Sequence, residues 1–454
     1  MKVHLIAIGG SAMHNLAIAL WEKGYVVTGS DDEIFEPSKS RLAKRNLLPG
    51  HLGWNADAIT SDLDAVIVGM HARADNPELL KAQQLGLKIY SYPEYLYEQT
   101  KNKTRIVIGG SHGKTTITSM LLHVFNLCGK ACDFMVGAQL AGFDCMVRLT
   151  EEADVVILEG DEYLSSPIDL RPKFHLYKPH IALISGIAWD HINVFPTFQN
   201  YIQQFDTFID CIEPNGALIY AQEDPEVVKL AQKPRHRVLQ TSGYGPHPNK
   251  VENGITFLDT PTGWLPIKVF GHHNLQNLNG AMKICQLMGI SDEQFYSAIS
   301  SFEGASKRLE IVARRNQGIV FKDFAHSPSK LKATSSAVKK QFPQHRIVAC
   351  MELHTFSSLN AEFLAQYAHS MDEPDVAIVY FNPHTIEHKR LHPISVEDVK
   401  KAFQREDLIV LIDAGLVEMI LMESDWEKTH LLWMTSGNFD GLDIADLAIR
   451  LPMN

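Results

Sequence analysis

Two glycines, a lysine and three hydroxyls stand in the run Gly110-Ser111-His112-Gly113-Lys114-Thr115-Thr116 at a spacing suited to a phosphate chain. Glycines let backbone N–H groups crowd round an anion, an ammonium reaches the terminal phosphates, and the Thr115 hydroxyl is a hard oxygen ligand for Mg²⁺. In the commonest phosphate loop a glycine stands five residues before the second one; here that position is Ile108, so a tighter Gly-x-x-Gly-Lys-Thr turn is expected. Glu159 closes the apolar run 154–158 and suits a second Mg²⁺ anchor, whereas Asp161 and Glu162 read as solvated loop acids. His191 follows the apolar run 180–185, a position where parallel strands present site residues. Asn274 and Asn277 are three apart and share a helical face, and an amide pair can both donate to and accept from an adenine edge. His272 and His273 lack a third metal ligand at close spacing.

These side chains need strands and helices to aim them. The apolar run 105–108 ends in glycines and opens into helical 117–127, a strand–loop–helix order. At the start of the chain, strand 3–8, helix 12–23 stopped by Gly24, and strand 25–28 form a β-α-β unit with Gly9 and Gly10 in its first turn. The dinucleotide fingerprint fails, because its later glycine positions hold Ser11 and His14. A hydride-transfer cofactor is therefore disfavoured, while a diphosphate held by backbone amides fits. Asp31 suits a ribose and a loop acid equally. Strand 64–69 leads to His71 and Arg73, placed where a ligand would lie, and Asn76-Pro77 starts a helix. After strand 87–90, the polar stretch 99–103 reads as a linker. Strands at 318–322, 346–350, 376–380, 408–412 and 430–433 alternate with helical stretches and argue for a further doubly wound parallel sheet. The chain is thus read as α/β, in three domains spanning 1–101, 102–312 and 313–454.

With 53 acidic and 42 basic side chains, a formal charge of -11 and no basic run, the chain is not expected to bind nucleic acid. An anionic substrate must be held by local cations and oriented amides. No apolar run reaches membrane-spanning length, and no membrane insertion is expected. Six dispersed cysteines without zinc spacing point to a reducing compartment, the cytoplasm.

In this order the motifs resemble those of the Mur ligases, the ATP-dependent amide-forming enzymes of peptidoglycan synthesis, along the whole chain. The resemblance implies a Rossmann-like N-terminal domain, a P-loop ATPase domain and a doubly wound C-terminal domain. It assigns Gly110 to Thr116 to ATP, and Thr115, Glu159 and His191 to Mg²⁺. Asn274 and Asn277 match the adenine-binding helix. Arg308, in Lys307-Arg308-Leu309-Glu310, matches the arginine that meets the γ-phosphate. Asp323, in Asp323-Phe324-Ala325-His326-Ser327-Pro328, matches an acid that contacts nucleotide from the third domain. Lys114, Glu159, His191 and Arg308 form the implied catalytic set.

The opening Ile8-Gly9-Gly10-Ser11-Ala12-Met13 and Gly29-Ser30-Asp31 are similar to those of members that start from UDP-N-acetylmuramate. Gly9, Gly10, Ser11, Ala12, Met13, Asp31, His71 and Arg73 are therefore expected around the UDP-sugar. Such members add either L-alanine or a recycled tripeptide, L-alanyl-γ-D-glutamyl-meso-diaminopimelate. The long segment between Glu159 and His191, the stretch Glu352-Leu353-His354-Thr355 and the closing Ser436-Gly437-Asn438-Phe439-Asp440-Gly441 favour the tripeptide. The implied chemistry passes the ATP γ-phosphoryl to the lactyl carboxylate, and the amine then attacks the acyl phosphate. Closure of the third domain and a monomer or weak homodimer are expected. There are departures: residues 192–208 contain no lysine for carbamoylation, Gly186 and Ala188 replace a usual asparagine and acid, and Ser327 replaces a histidine.

Overall fold

Short β-rich apolar runs, each ending in a glycine or polar turn, build three mainly parallel sheets. The computed structural model describes residues 1–453 other than Ala141, Arg237, Ser306, Lys307, Asn316 and Gln317, so Lys307 of the arginine motif lies outside the described residues. The first sheet runs Val26–Ser30, Lys2–Ile6, Ala65–Val68, Ile89–Ser91, all parallel. Lys2–Ile6 and Ala65–Val68 meet where the strand order reverses direction, which places the crevice for a ligand at their carboxyl ends. Gly29 permits that packing, because a Cβ there would stand 2.6 Å from Ile8 Cδ1.

The expected linker at 99–103 is shorter than its polar composition suggested. Gln99 and Thr100 complete the helix Tyr92–Thr100. Ser91 and Glu94 close a capping box at its start, and the Thr100 hydroxyl donates to the Leu96 carbonyl at 2.7 Å. Capping and the buried Tyr92, Tyr95 and Leu96 outweigh the polar tail.

The second sheet runs Gln240–Tyr244, Ala217–Ala221, Ile181–Ile184, Thr104–Gly109, Val155–Glu159, Asp133–Met135, Val147–Arg148, with only the last strand antiparallel. Its central strand Thr104–Gly109 begins with a buried cation. The Arg105 guanidinium is 2% exposed and donates to the carbonyls of Tyr177, Lys178, Lys101 and Lys103, with Glu213 at 2.9 Å. The third sheet runs Glu310–Arg314, Ile319–Asp323, Thr429–Met434, Arg346–Leu353, Val376–Phe381, Ile409–Leu411, parallel except for the first strand. A small antiparallel sheet, Asn249–Glu252, Ile255–Thr260 and Gly263–Ile267, and the hairpin Leu164–Ser166/Asp169–Pro172 were not anticipated.

The chain forms two compact units. One comprises Met1–Ile187, Phe198–Gly245 and Gly280–Ser291 and holds the first two sheets. They are tied together by Asn15, whose Oδ1 accepts the Met146 N–H at 2.9 Å, and by ion pairs Lys23–Glu151 and Arg171–Glu94. The other comprises Ala188–Thr197, Pro246–Asn279 and Asp292–Asn454. There the small sheet is joined to the helix Pro328–Gln341 by Thr256 and Gly254, both bonded to the Gln341 amide.

Candidate active site

The glycine loop is a cradle that side chains would fill. Gly110 (φ 131°) would bring a Cβ within 2.1 Å of Ser185 Oγ, and Gly113 (φ 79°) turns the chain into the helix Lys114–Leu127. Because the N-cap is glycine, no side-chain oxygen caps this helix, and its leading N–H groups face the loop. The chain after Ile181–Ile184 clamps the loop from one side. Ser111 N–H donates to the Gly186 carbonyl at 3.0 Å, and the Ser185 hydroxyl donates to the His112 carbonyl. The His112 ring fills the space where a Gly186 side chain would be, 2.3 Å from its ideal Cβ.

Lys114 Nζ lies 2.6 Å from the Gly110 carbonyl and 2.7 Å from Glu162 Oε2. Glu162 is 1% exposed, which corrects its reading as a solvated loop acid. It is buried because two groups satisfy it: Lys114, and the Tyr201 hydroxyl, which donates to Oε1 at 2.9 Å and also bonds Ser111 Oγ at 2.8 Å. Asp161 is more exposed and pairs with Lys173 at 2.5 Å. Burial works against the Lys114 charge, but Glu162 and Asp161 overcome it and hold the ammonium above its ordinary range. Thr115 Oγ1 donates to Glu159 Oε1 at 2.9 Å, and Gly137 N–H donates to Oε2 at 3.0 Å. Burial nevertheless raises Glu159 above the usual carboxylate range, against the pull of Lys114 and both donors. A buried carboxylate beside a hydroxyl, next to an uncapped helix start and a lysine, is a donor set that fits a polyphosphate and a hard divalent cation.

In the first sheet, Gly9 N–H donates to Asp31 Oδ2 at 2.7 Å, and burial pushes Asp31 up despite that bond. Gly10 is the N-cap of the helix Ser11–Glu22, whose first turn carries no acid. Ser11 and Ala12 are exposed there, while Met13 is buried beneath the turn. His71 and Arg73 are exposed on the loop after Ala65–Val68, with Arg73 4.0 Å from Asp75. All eight residues thus stand at or beyond the carboxyl ends of neighbouring strands.

The remaining predicted residues belong to the other unit. Asn274 and Asn277 are buried in the helix His272–Leu287, and Asn274 Nδ2 donates to the Phe270 carbonyl at 2.9 Å. Asp323 accepts Leu309 N–H and Ala325 N–H, each at 2.7 Å, and burial raises it in spite of Arg308. The Arg308 guanidinium lies 5.1 Å over the Phe324 ring, so the Asp323 turn orients it. His191 has φ 53°, and its N–H donates to Asp190 Oδ1 at 2.8 Å. Sequence reasoning missed Glu162, Tyr201 and Asp190. Only the third left a signal, by adjoining His191.

The chain matches the model of the Mur ligase middle domain over residues 108–285 and that of the Mur ligase family catalytic domain over residues 2–104. It is 31% identical over 384 residues to a UDP-N-acetylmuramate–L-alanine ligase of Sulfurihydrogenibium sp. (strain YO3AOP1), covering 83% of this chain and 82% of that protein. Among solved structures, the UDP-N-acetylmuramate–alanine ligase of Thermotoga maritima has a TM-score of 0.70 at 20% identity, covering 97% of this chain and 96% of that one. A murein peptide ligase from Psychrobacter arcticus has a TM-score of 0.65 at 21% identity, covering 99% and 98%. The fold is the three-domain Mur ligase architecture. With family models over its first two sheets, a relative of this identity over most of its length, and a glycine cradle at the central strand end, the chain belongs to the Mur ligase family of ATP-dependent ligases that join a carboxylate to an amine.

Proposed function

We propose that this enzyme joins the lactyl carboxylate of UDP-N-acetylmuramate to the amine of L-alanyl-γ-D-glutamyl-meso-diaminopimelate, in peptidoglycan recycling in the bacterial cytoplasm. One observation carries the choice of acceptor. The two stretches that separate the tripeptide branch from the alanine branch, 352–355 and 436–441, form one cluster. Glu352 accepts the Thr435 hydroxyl and the Phe439 N–H at 3.1 Å and lies 3.5 Å from His354. Parallel sheets bind ligands at their carboxyl ends, and this cluster occupies that end of Arg346–Leu353 and Thr429–Met434. The alternative acceptor is L-alanine, favoured by the activity of the relative from Sulfurihydrogenibium.

In this reading the sugar nucleotide takes 1–101, ATP takes 102–312, and the acceptor takes 313–454, with the unit carrying Arg308 and Asp323 closing on the nucleotide. Gly9, Gly10, Ser11, Ala12 and Met13 offer backbone to the diphosphate, with Asp31, His71 and Arg73 around the uridine. Gly110, Ser111, His112, Gly113 and Thr116 cradle the ATP phosphates, and Asn274 and Asn277 read the adenine. Lys114 and Arg308 stabilise charge that builds on the transferred phosphoryl oxygens, where positioned cations contribute most. Thr115, Glu159 and His191 would hold Mg²⁺, which supplies further charge neutralisation when bound. For Lys114 to serve, its ammonium must turn from Glu162 toward phosphate, and Tyr201 keeps the acid satisfied meanwhile. Phosphate release with UDP-N-acetylmuramate and ATP, measured with the tripeptide and with L-alanine, tests the reading. A kcat/KM for the tripeptide about 10²-fold above that for L-alanine is expected. The reverse ranking would replace it with the alanine reading.

A further inference from the structure

The loop that bears His191 follows a strand of the first unit, yet it belongs to the second. Its residues show why. The Trp189 ring meets Phe363 edge-on at 6.1 Å, and its indole N–H donates to the Phe195 carbonyl at 3.0 Å. Ile192 packs on the hydrophobic core that includes Phe363, Leu331 and Met434. Between these two apolar anchors sits Asp190, its side chain only 13% exposed. One oxygen accepts the His191 N–H, and the other lies 3.8 Å from Lys330 Nζ, itself 15% exposed, in the first turn of the helix Pro328–Gln341. The left-handed backbone of His191 is an uncommon conformation for a residue with a side chain, so the surroundings must impose it. The His191 carbonyl then accepts Val194 N–H and Phe195 N–H, both at 2.9 Å, which closes the turn.

We propose that Lys330 is a positioning residue for His191: by holding Asp190 from the C-terminal helix, it fixes the turn that presents the imidazole. The consequence for catalysis rests on reading His191 as a metal ligand. A cation is apt here because Asp190 is a carboxylate with a side chain only 13% exposed, and Lys330 lies opposite its free oxygen. A largely buried ion pair between a loop and a helix start costs more when one partner is deleted than the pair itself contributes, so it acts as a latch.

Hydrogen exchange of the intact enzyme tests this directly. In Lys330→Met the amides of His191, Val194 and Phe195 should exchange at least about tenfold faster, Mn²⁺ binding measured by EPR with ATP present should weaken about tenfold, and KM for the UDP-sugar should stay put. Lys330→Arg should restore both. Unchanged exchange at those amides in a folded Lys330→Met enzyme overturns the proposal, whatever the metal does. Unchanged Mn²⁺ affinity in His191→Ala overturns only the reading of His191 as a ligand.

Discussion

The central strand Thr104–Gly109 carries a buried cation near each end, and the two are held in opposite ways. Arg105, at the start, is caged by backbone carbonyls and Glu213. Its partners are fixed by the chain's course, its planar fork suits them, and nothing there can exchange for a ligand. Lys114, beyond the other end, rests on one carboxylate and one carbonyl beside glycines whose missing side chains leave room for an anion. A saturated cation stabilises a fold, whereas one with a single replaceable counter-ion can be lent to a substrate. Polarity along a strand of a parallel sheet thus separates structural from functional charge.

The contrast breaks most sharply if both ends respond alike to mutation. Lys114→Met should cost on the order of 10³-fold in phosphate release, and combining it with Glu162→Gln, which removes the buried acid it would strand, should keep the melting temperature nearly unchanged. Arg105→Met should do the converse and destabilise by about 3–5 kcal/mol in urea titration, chiefly by stranding the buried carbonyls, while the folded fraction keeps its KM for ATP. Glu159→Gln should raise the Mg²⁺ concentration for half-maximal turnover about 10- to 100-fold without a loss of stability, since burial already disfavours its charge. The smallest effect concerns Glu78, a carboxylate of the fixed kind. Burial raises it, but His4, Ser30 and the Asn55 N–H together more than offset that and bring it below the usual range. Its stabilisation should therefore be complete above the ordinary carboxylate pKa and fade as pH falls through the lowered one. Glu78→Gln should flatten this acid limb of the unfolding free energy.

Much of this was legible from local pattern. The glycine loop, Lys114, Thr115 and Glu159 stand at ends of apolar runs, and such ends converge in any parallel sheet. Glu162 was not legible, because a loop acid becomes buried only when Lys114 and Tyr201 arrive from 48 and 39 residues away. The strands Asp133–Met135 and Val147–Arg148 are too short for a period to register. The sheet across 249–267 alternates Lys250 and Glu252 with apolar neighbours and resembles a polar turn region until its strands pair. The linker read at 99–103 loses Gln99 and Thr100 to a helix because composition outvoted a capping box that begins eight residues upstream.

Asn15 has a consequence for any attempt to dissect the enzyme. Its carboxamide spans the first helix and the edge of the neighbouring sheet, donating to the Ser11 carbonyl at 2.8 Å while receiving the Met146 amide. Excising the four-stranded sheet would strip an acceptor from that amide and bare the flank it covers. A calorimetric scan of the whole enzyme should accordingly show no separate endotherm for that sheet, which unravels in step with the lysine-bearing one.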